Sequence, residues 1–169
     1  AQLVVGDPLD DLTDVSALIS SNDTQRVLDW IASAIQQGAR LVFGGTKNAD
    51  GVLLPTVLAD TNDEMDVCRK EVFGPVVSVM KYSELEDALS RANDTAYGLQ
   101  AAIFTKDISK ALHAARALDF GGVLINETPT YRADNMPYGG IRDSGNTKEG
   151  PAYTVHEMTV EKLVVVNEL

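Results

Sequence analysis

The sequence predicts an α/β protein built on a three-layer open sheet, mostly parallel, with helices on both faces. Two observations carry this. From Pro75 onward, apolar runs of strand length alternate with amphipathic runs of helix length: VVSVMKY, SELEDALSRAND, LQAAIFT, DISKALHAARAL and GGVLIN follow one another with short connections. The apolar runs are near-continuous, the pattern of strands covered on both sides, and strand-helix-strand-helix-strand is the order a parallel sheet requires.

The elements follow in chain order. AQLVVGDPLDD runs from an apolar stretch into a Gly-Asp-Pro turn with no initiator methionine, so it reads as the interior of a longer chain. An acidic segment continues to Ser20. Ser21 or Asn22 is then placed to cap a helix, because Val27, Leu28, Ile31, Ala34 and Ile35 recur at the three- and four-residue spacing of one buried face. That helix should stop near Gly38. ARLVFGG and PTVLAD read as short strands bounded by glycine and proline. Ser83 and Glu86 have the spacing of a capping box for the SELEDALSRAND helix, and Asp107 precedes the next helix as a cap.

Residues 126–151, NETPTYRADNMPYGGIRDSGNTKEGP, form a long polar loop with Gly139, Gly140, Gly145, Pro129 and Pro137. Loops of this length in compact domains are usually functional or disordered; this one follows the carboxyl end of a strand, where open α/β sheets bind ligands, which favours function. PAYTVHEM reads as a short helix with Pro151 in its first turn, and EKLVVVN as a closing strand. Neither internal repeats nor low-complexity tracts interrupt this order.

Composition removes several function classes. A formal charge of -11 over 169 residues disfavours phosphate-backbone binding, so no nucleic-acid partner is expected. Runs such as LVVV are too short to span a bilayer and the N-terminus lacks the order of a signal peptide, so no membrane partner is expected either. One cysteine cannot form an internal disulfide, which fits a reducing compartment, and the cytoplasm is the expected location. His113 and His156 sit on separate predicted helices, with no metal-ligand spacing to Cys68, so no metal site is expected. GxGxxG and Walker A motifs are absent, so a full dinucleotide-binding fold is not encoded here.

Two short stretches hold chemistry. In CRKEVFGPVV, Cys68 precedes Arg69 and Lys70, cations that could favour a thiolate. A nucleophile also needs a base or helix N-terminus aimed at it, and nothing in the neighbouring sequence supplies one, so an inert packed cysteine is the competing reading. Glu71 and Phe73 put a carboxylate and an aromatic ring two residues apart before a Gly-Pro turn. The first can accept hydrogen bonds from hydroxyls, and the second can lie against a flat ring; a solvated Glu and a core Phe is the alternative. In TYRADNMPYGG, Arg132 can pair bidentately with an anionic ligand, or locally with Asp134.

EVFGPVV, RANDTAYGLQAAIFTKD, ALDFGGVLINE, MPYGGIRDSG and EGPAYTVHEMTVEKLVV, in this order, resemble the C-terminal part of the NAD(P)-dependent aldehyde dehydrogenase superfamily. The opening VVGDPLDDLTDVSALIS is similar to the segment that follows the family's catalytic cysteine. The match is collinear over essentially the whole chain, and in feel it is nearest to the lactaldehyde, semialdehyde and phosphonoacetaldehyde types.

The resemblance implies that Glu71 holds the nicotinamide ribose hydroxyls of NAD or NADP, that Phe73 lies beside the nicotinamide, and that Gly74 and Pro75 shape the turn. It puts Asn126 at the edge of the substrate tunnel, and Pro137, Gly139, Gly140, Ser144 and Gly145 in the motif that organises the loop. The nucleophilic cysteine, the general-base glutamate and the dinucleotide-binding fold are expected ahead of residue 1, so no residue of this chain is assigned as catalytic and the chain alone is expected to be inactive. Residues 1–158 would be the thiol-bearing catalytic domain lacking its first segment. Residues 159–169 would be an oligomerisation strand, leading to a dimer or tetramer. The competing reading is a stand-alone, non-catalytic binding or oligomerisation module derived from the same fold.

Overall fold

In the computed structural model, residues 3–167 are described. They fall into two compact units that divide between Ser83 and Glu84.

The first unit is organised by α1 (Ser21–Gln36). Its cap is Ser20, one residue before the predicted pair: the Ser20 hydroxyl accepts from the Asp23 N–H at 3.1 Å, satisfying a donor that the first turn leaves unpaired. Thr24, Val27, Ile31 and Ala34 form the buried face. Ile35, predicted to join it, is exposed because it sits one position round the helix from Ala34. The helix stops where expected: Gly38, at φ +106°, follows the C-cap residue Gln37, and the Ala39 N–H returns to the Ala34 carbonyl.

Three strands pack beside α1: β1 (Arg40–Phe43), β2 (Thr56–Ala59) and β3 (Val76–Val79), in the order β1-β2-β3. β1 runs antiparallel to β2, with a register shift between Leu41 and Phe43. β2 runs parallel to β3, from Thr56 opposite Val76 to Ala59 opposite Val79. Between them a four-residue helix, α2 (Asp66–Arg69), was not anticipated from the sequence. Val27, Ile31, Ala34, Ala39, Leu53, Leu58, Met65 and Val67 make the core. Burying a side chain such as Ile31 or Leu58 contributes about 1.5–3 kcal/mol, so this cluster fixes α1 on the sheet.

The second unit contains α3 (Leu85–Asn93), β4 (Gln100–Ile103), α4 (Ile108–Ala117), β5 (Gly122–Ile125) and α5 (Pro151–Met158). β4 and β5 pair in parallel, from Gln100 opposite Gly122 to Ile103 opposite Ile125. Leu89, Ala114 and Leu118 form its core, with Leu85, Ile103 and Val123 packed against it. Asp107 caps α4 as predicted, its carboxylate accepting from Ser109 N–H at 2.9 Å and Lys110 N–H at 3.2 Å. The Ser83/Glu86 capping box does not form: α3 begins at Leu85 with Glu84 at the N-cap, which puts Ser83 outside the helix and Glu86 too early to reach back.

The α/β class is as predicted, with parallel strand pairs beside helices. Most of the pairing is parallel, as expected, with β1 as an antiparallel edge; among the described residues β1-β2-β3 form one sheet and β4-β5 another. Hydrophobic pattern reveals that a segment is a strand; it does not reveal its neighbour. EKLVVVN also forms no strand. Residues 159–167 are exposed, without regular secondary structure, since a strand exists only through its pairing and these residues have no partner strand among the described residues. The rest of that predicted segment, residues 168 and 169, lies outside the described residues.

Candidate functional site

The turn at 71–75 presents two of the predicted residues. Phe73 has a positive φ of +48°, unusual for a bulky side chain, and its ring is 75% exposed. The backbone around it is held from several directions. Arg26 of α1 donates to the Val72 carbonyl at 3.1 Å, the Thr56 N–H donates to the Pro75 carbonyl at 2.8 Å, and the Val76 N–H closes back on Gly74 at 2.8 Å. Arg26 is itself fixed, lying 4.7 Å from the Trp30 ring centroid and 3.3 Å from the Asp23 carboxylate. The hydrogen bond from the Ser20 hydroxyl, and after it the Arg26 guanidinium, holds Asp23 below its ordinary value of 3.8. The Glu71 carboxylate is exposed and makes no hydrogen bond or ion pair among the described residues. The turn therefore offers a free carboxylate and a free aromatic face on a pinned backbone.

Cys68 lies on α2, three residues before Glu71, half-buried against the first core. The neighbouring cations do not serve its thiol: Arg69 pairs with Glu64 at 3.1 Å and Lys70 with Asp66 at 3.0 Å. Both histidines are in the other unit, where His113 meets Glu86 at 2.8 Å. No cluster of potential metal ligands occurs among the described residues.

The long loop contains the other two predicted residues. Asn126 follows β5 at φ +58° and turns its amide onto the Thr105 backbone, with Oδ1 accepting from the Thr105 N–H at 2.8 Å and Nδ2 donating to its carbonyl at 2.9 Å. Arg132 pairs with Glu149 at 2.8 Å and lies 5.1 Å from the Tyr138 ring centroid. The expected local alternative, Asp134, is not its partner. A Tyr138–Glu149 bridge folds the second half of the loop back on its middle and delivers Glu149 instead. Arg132, Asp134 and Glu149, with Pro151, Val155 and Met158, line an open groove of about 580 Å³.

Gly121 and Gly139 meet backbone to backbone, and a Cβ on Gly121 would collide with the Gly139 carbonyl. Ser144, predicted to help organise this region, accepts from the Gly98 N–H at 2.9 Å. Sequence reasoning missed Arg26, Glu149 and Arg142. Their roles depend on long-range partners that no local motif signals.

Parallel strand pairs beside helices, with a structured loop at the carboxyl end of β5, define an α/β domain of the kind that binds ligands at strand ends. The chain belongs to the aldehyde dehydrogenase family, whose model matches residues 1–164. It is 46% identical over 167 residues to a 3-sulfolactaldehyde dehydrogenase of Priestia aryabhattai, covering 98% of this chain and 35% of that protein. With a lactaldehyde dehydrogenase of Methanococcus aeolicus the identity is 43% over 166 residues, again 98% and 35%.

Among solved structures, aldehyde dehydrogenase 21 from Physcomitrella patens, in complex with the reaction product succinate, superposes with a TM-score of 0.87 at 38% identity, over 92% of this chain and 32% of that one. Glyceraldehyde-3-phosphate dehydrogenase from Methanocaldococcus jannaschii, complexed with NADP, gives 0.86 at 41%, over 93% and 34%. An aldehyde dehydrogenase of Mycobacterium tuberculosis complexed with NAD+ gives 0.84 at 34%, over 92% and 33%. The chain thus spans about a third of the length of the relatives it matches.

Proposed function

We propose that this chain is the part of an NAD(P)-dependent aldehyde dehydrogenase that grips the nicotinamide end of the cofactor and frames the substrate, in an enzyme that oxidises a small anionic aldehyde to its carboxylic acid. The observation that carries this reading is the pinned 71–75 turn. A ribose offers neighbouring hydroxyls and a nicotinamide offers a flat face; the unpartnered Glu71 carboxylate and the exposed Phe73 ring suit both. When bound, the cofactor supplies the hydride acceptor. The chain's own contribution is orientation: Glu71 would hold the ribose and Phe73 would lie against the nicotinamide, and positioning of this kind lowers barriers without any chemistry at the contacting groups.

Asn126 and Arg132 are assigned to the substrate side. The anionic preference rests on Arg132; a sulfonate, a phosphate and a dicarboxylate product in the names of three similar proteins support it, whereas the lactaldehyde of others is uncharged. Its ion pair with Glu149 is half-exposed, and such pairs contribute at most about 1 kcal/mol, so a ligand anion can displace Glu149 at little cost. Cys68 is assigned a packing role, and the chain alone is taken to be inactive. Residues 1–158 are assigned to the catalytic domain, at home in a reducing cytoplasm.

Residues 160–166 are assigned to self-association. Val160, Leu163, Val164, Val165 and Val166 are each at least 68% exposed, a run suited to strand addition. Light scattering should detect dimers or larger species whose population falls on substituting Val164 and Val166 by Lys; a monomer at high concentration contradicts the assignment.

The test of function is a chimera in which this chain replaces the matching third of the Priestia aryabhattai enzyme. Aldehyde-dependent NAD(P)H formation is expected from the chimera and none from the isolated chain. Turnover by the isolated chain that is abolished by Cys68→Ser would overturn the assignment.

A further inference from the structure

Arg142 holds an arrangement that the proposed function does not use. Its backbone has φ +55°, a conformation that non-glycine residues adopt only when surrounding contacts enforce it. Its guanidinium donates to three carbonyls, those of Asn93 at 2.8 Å, Thr95 at 2.8 Å and Asp119 at 2.5 Å, and lies 5.6 Å from the Phe120 ring centroid. These carbonyls stand at or just beyond the C-terminal ends of α3 and α4, where unpaired oxygens and the helix dipole favour a cation. The Asn93 side chain ties the same two ends together, donating to the Ala117 carbonyl at 2.7 Å and accepting from the Asp119 N–H at 2.8 Å.

The turn bearing Arg142 is joined to the same place by its backbone. Ile141 N–H donates to the Gly98 carbonyl at 3.1 Å and Asp143 N–H to the Ala96 carbonyl at 2.9 Å. This turn closes the first part of the loop, residues 126–141, which carries Arg132, and the beginning of that part is fixed separately by Asn126 on Thr105. Arg132 therefore lies on a span anchored at both ends, with Arg142 at the second; between the anchors Gln100 Nε2 donates to the Tyr131 carbonyl at 3.4 Å and Tyr138 bridges to Glu149.

We infer that Arg142 is a positioning residue for the substrate loop: it fixes the C-terminal anchor of the span 126–141 and so sets where Arg132 meets a ligand anion. Lysine can reach one of the carbonyls but cannot supply the planar fork or the ring contact, so it restores the anchor in part. The kinetic consequence rests on the aldehyde dehydrogenase reading above; the anchoring does not.

In the chimera, Arg142→Ala is expected to raise KM for an anionic aldehyde about tenfold or more while KM for the cofactor stays within about twofold, with Arg142→Lys between parent and Ala. An unchanged aldehyde KM overturns the inference. So does a matched rise in both constants, the sign of general damage. If the unsubstituted chimera shows no aldehyde-dependent turnover, that reading fails and hydrogen exchange on the isolated chain decides the anchoring. Faster exchange at 131–141 in Arg142→Ala, with α1 amides unchanged, supports it; unchanged exchange at 131–141 overturns it.

Discussion

At 71–75 the backbone is held and the side chains are left free, whereas at 126–150 the side chains do the holding. Arg26, Thr56 and Gly74 secure the first turn through carbonyls and N–H groups, and Glu71 and Phe73 project from it unengaged. In the loop, Asn126 is tied to Thr105, Arg132 to Glu149 and Arg142 to three carbonyls. A group meant to hold one fixed partner is best presented ready on a rigid frame. In the loop, Asn126 and Arg142 are fixed by several hydrogen bonds each, and the half-exposed Arg132–Glu149 pair is the one suited to exchange with a ligand.

The largest effect that separates the two regions is expected at Gly121. Gly121→Ala drives a methyl group into the Gly139 backbone, where nothing flexible can yield, at a cost of about 3 kcal/mol. Urea unfolding should register the loss, and hydrogen exchange should locate it at 126–150 with α1 unaffected; a stability within about 0.5 kcal/mol of the parent contradicts the close packing.

A smaller change is expected on the other side. Arg26→Ala removes the bond to the Val72 carbonyl and the contact with Trp30, worth about 1–2 kcal/mol together. Amides at 72–74 should exchange faster while the loop is unmoved, and equal protection in parent and variant would mean that the turn needs no support from α1.

The smallest effect concerns acid. Asp23 is held below its ordinary value by Ser20 and Arg26, so its contribution is present above about pH 4, the unfolded value, and is lost as pH falls through the lower folded value. Asp23→Asn should flatten the pH dependence of stability in that window. The group is solvent-exposed, so the change is slight, and an unaltered acid limb in the variant would remove Asp23 from the account.

The α/β class, α1, the Asp107 cap, the Pro151 helix and every strand before EKLVVVN follow from local signals: apolar spacing, capping residues, glycine and proline. What was hidden depends on contacts between distant residues. No local pattern says that β3 and β4 join different sheets, or that Ile35 points outward one position beyond Ala34. The site divides along the same line. Glu71 and Phe73 were singled out by a five-residue motif, while the roles proposed for them came from the resemblance of several such motifs in order. Arg132 was legible as a cation in a loop, yet its partner Glu149 lies 17 positions away and is brought near only by the Tyr138–Glu149 bridge. Arg142 left no trace because its three acceptors are main-chain carbonyls, which every sequence has.

The central claim is that Glu71, and not the more conspicuous Cys68, is the working residue of CRKEVFGPVV. Single-turnover hydride transfer in the chimera tests it most directly. Glu71→Gln, which keeps the shape and removes the charge, is expected to slow that step by about 10- to 100-fold, while Cys68→Ser leaves it within about twofold. Normal hydride transfer in Glu71→Gln together with its loss in Cys68→Ser would contradict the account.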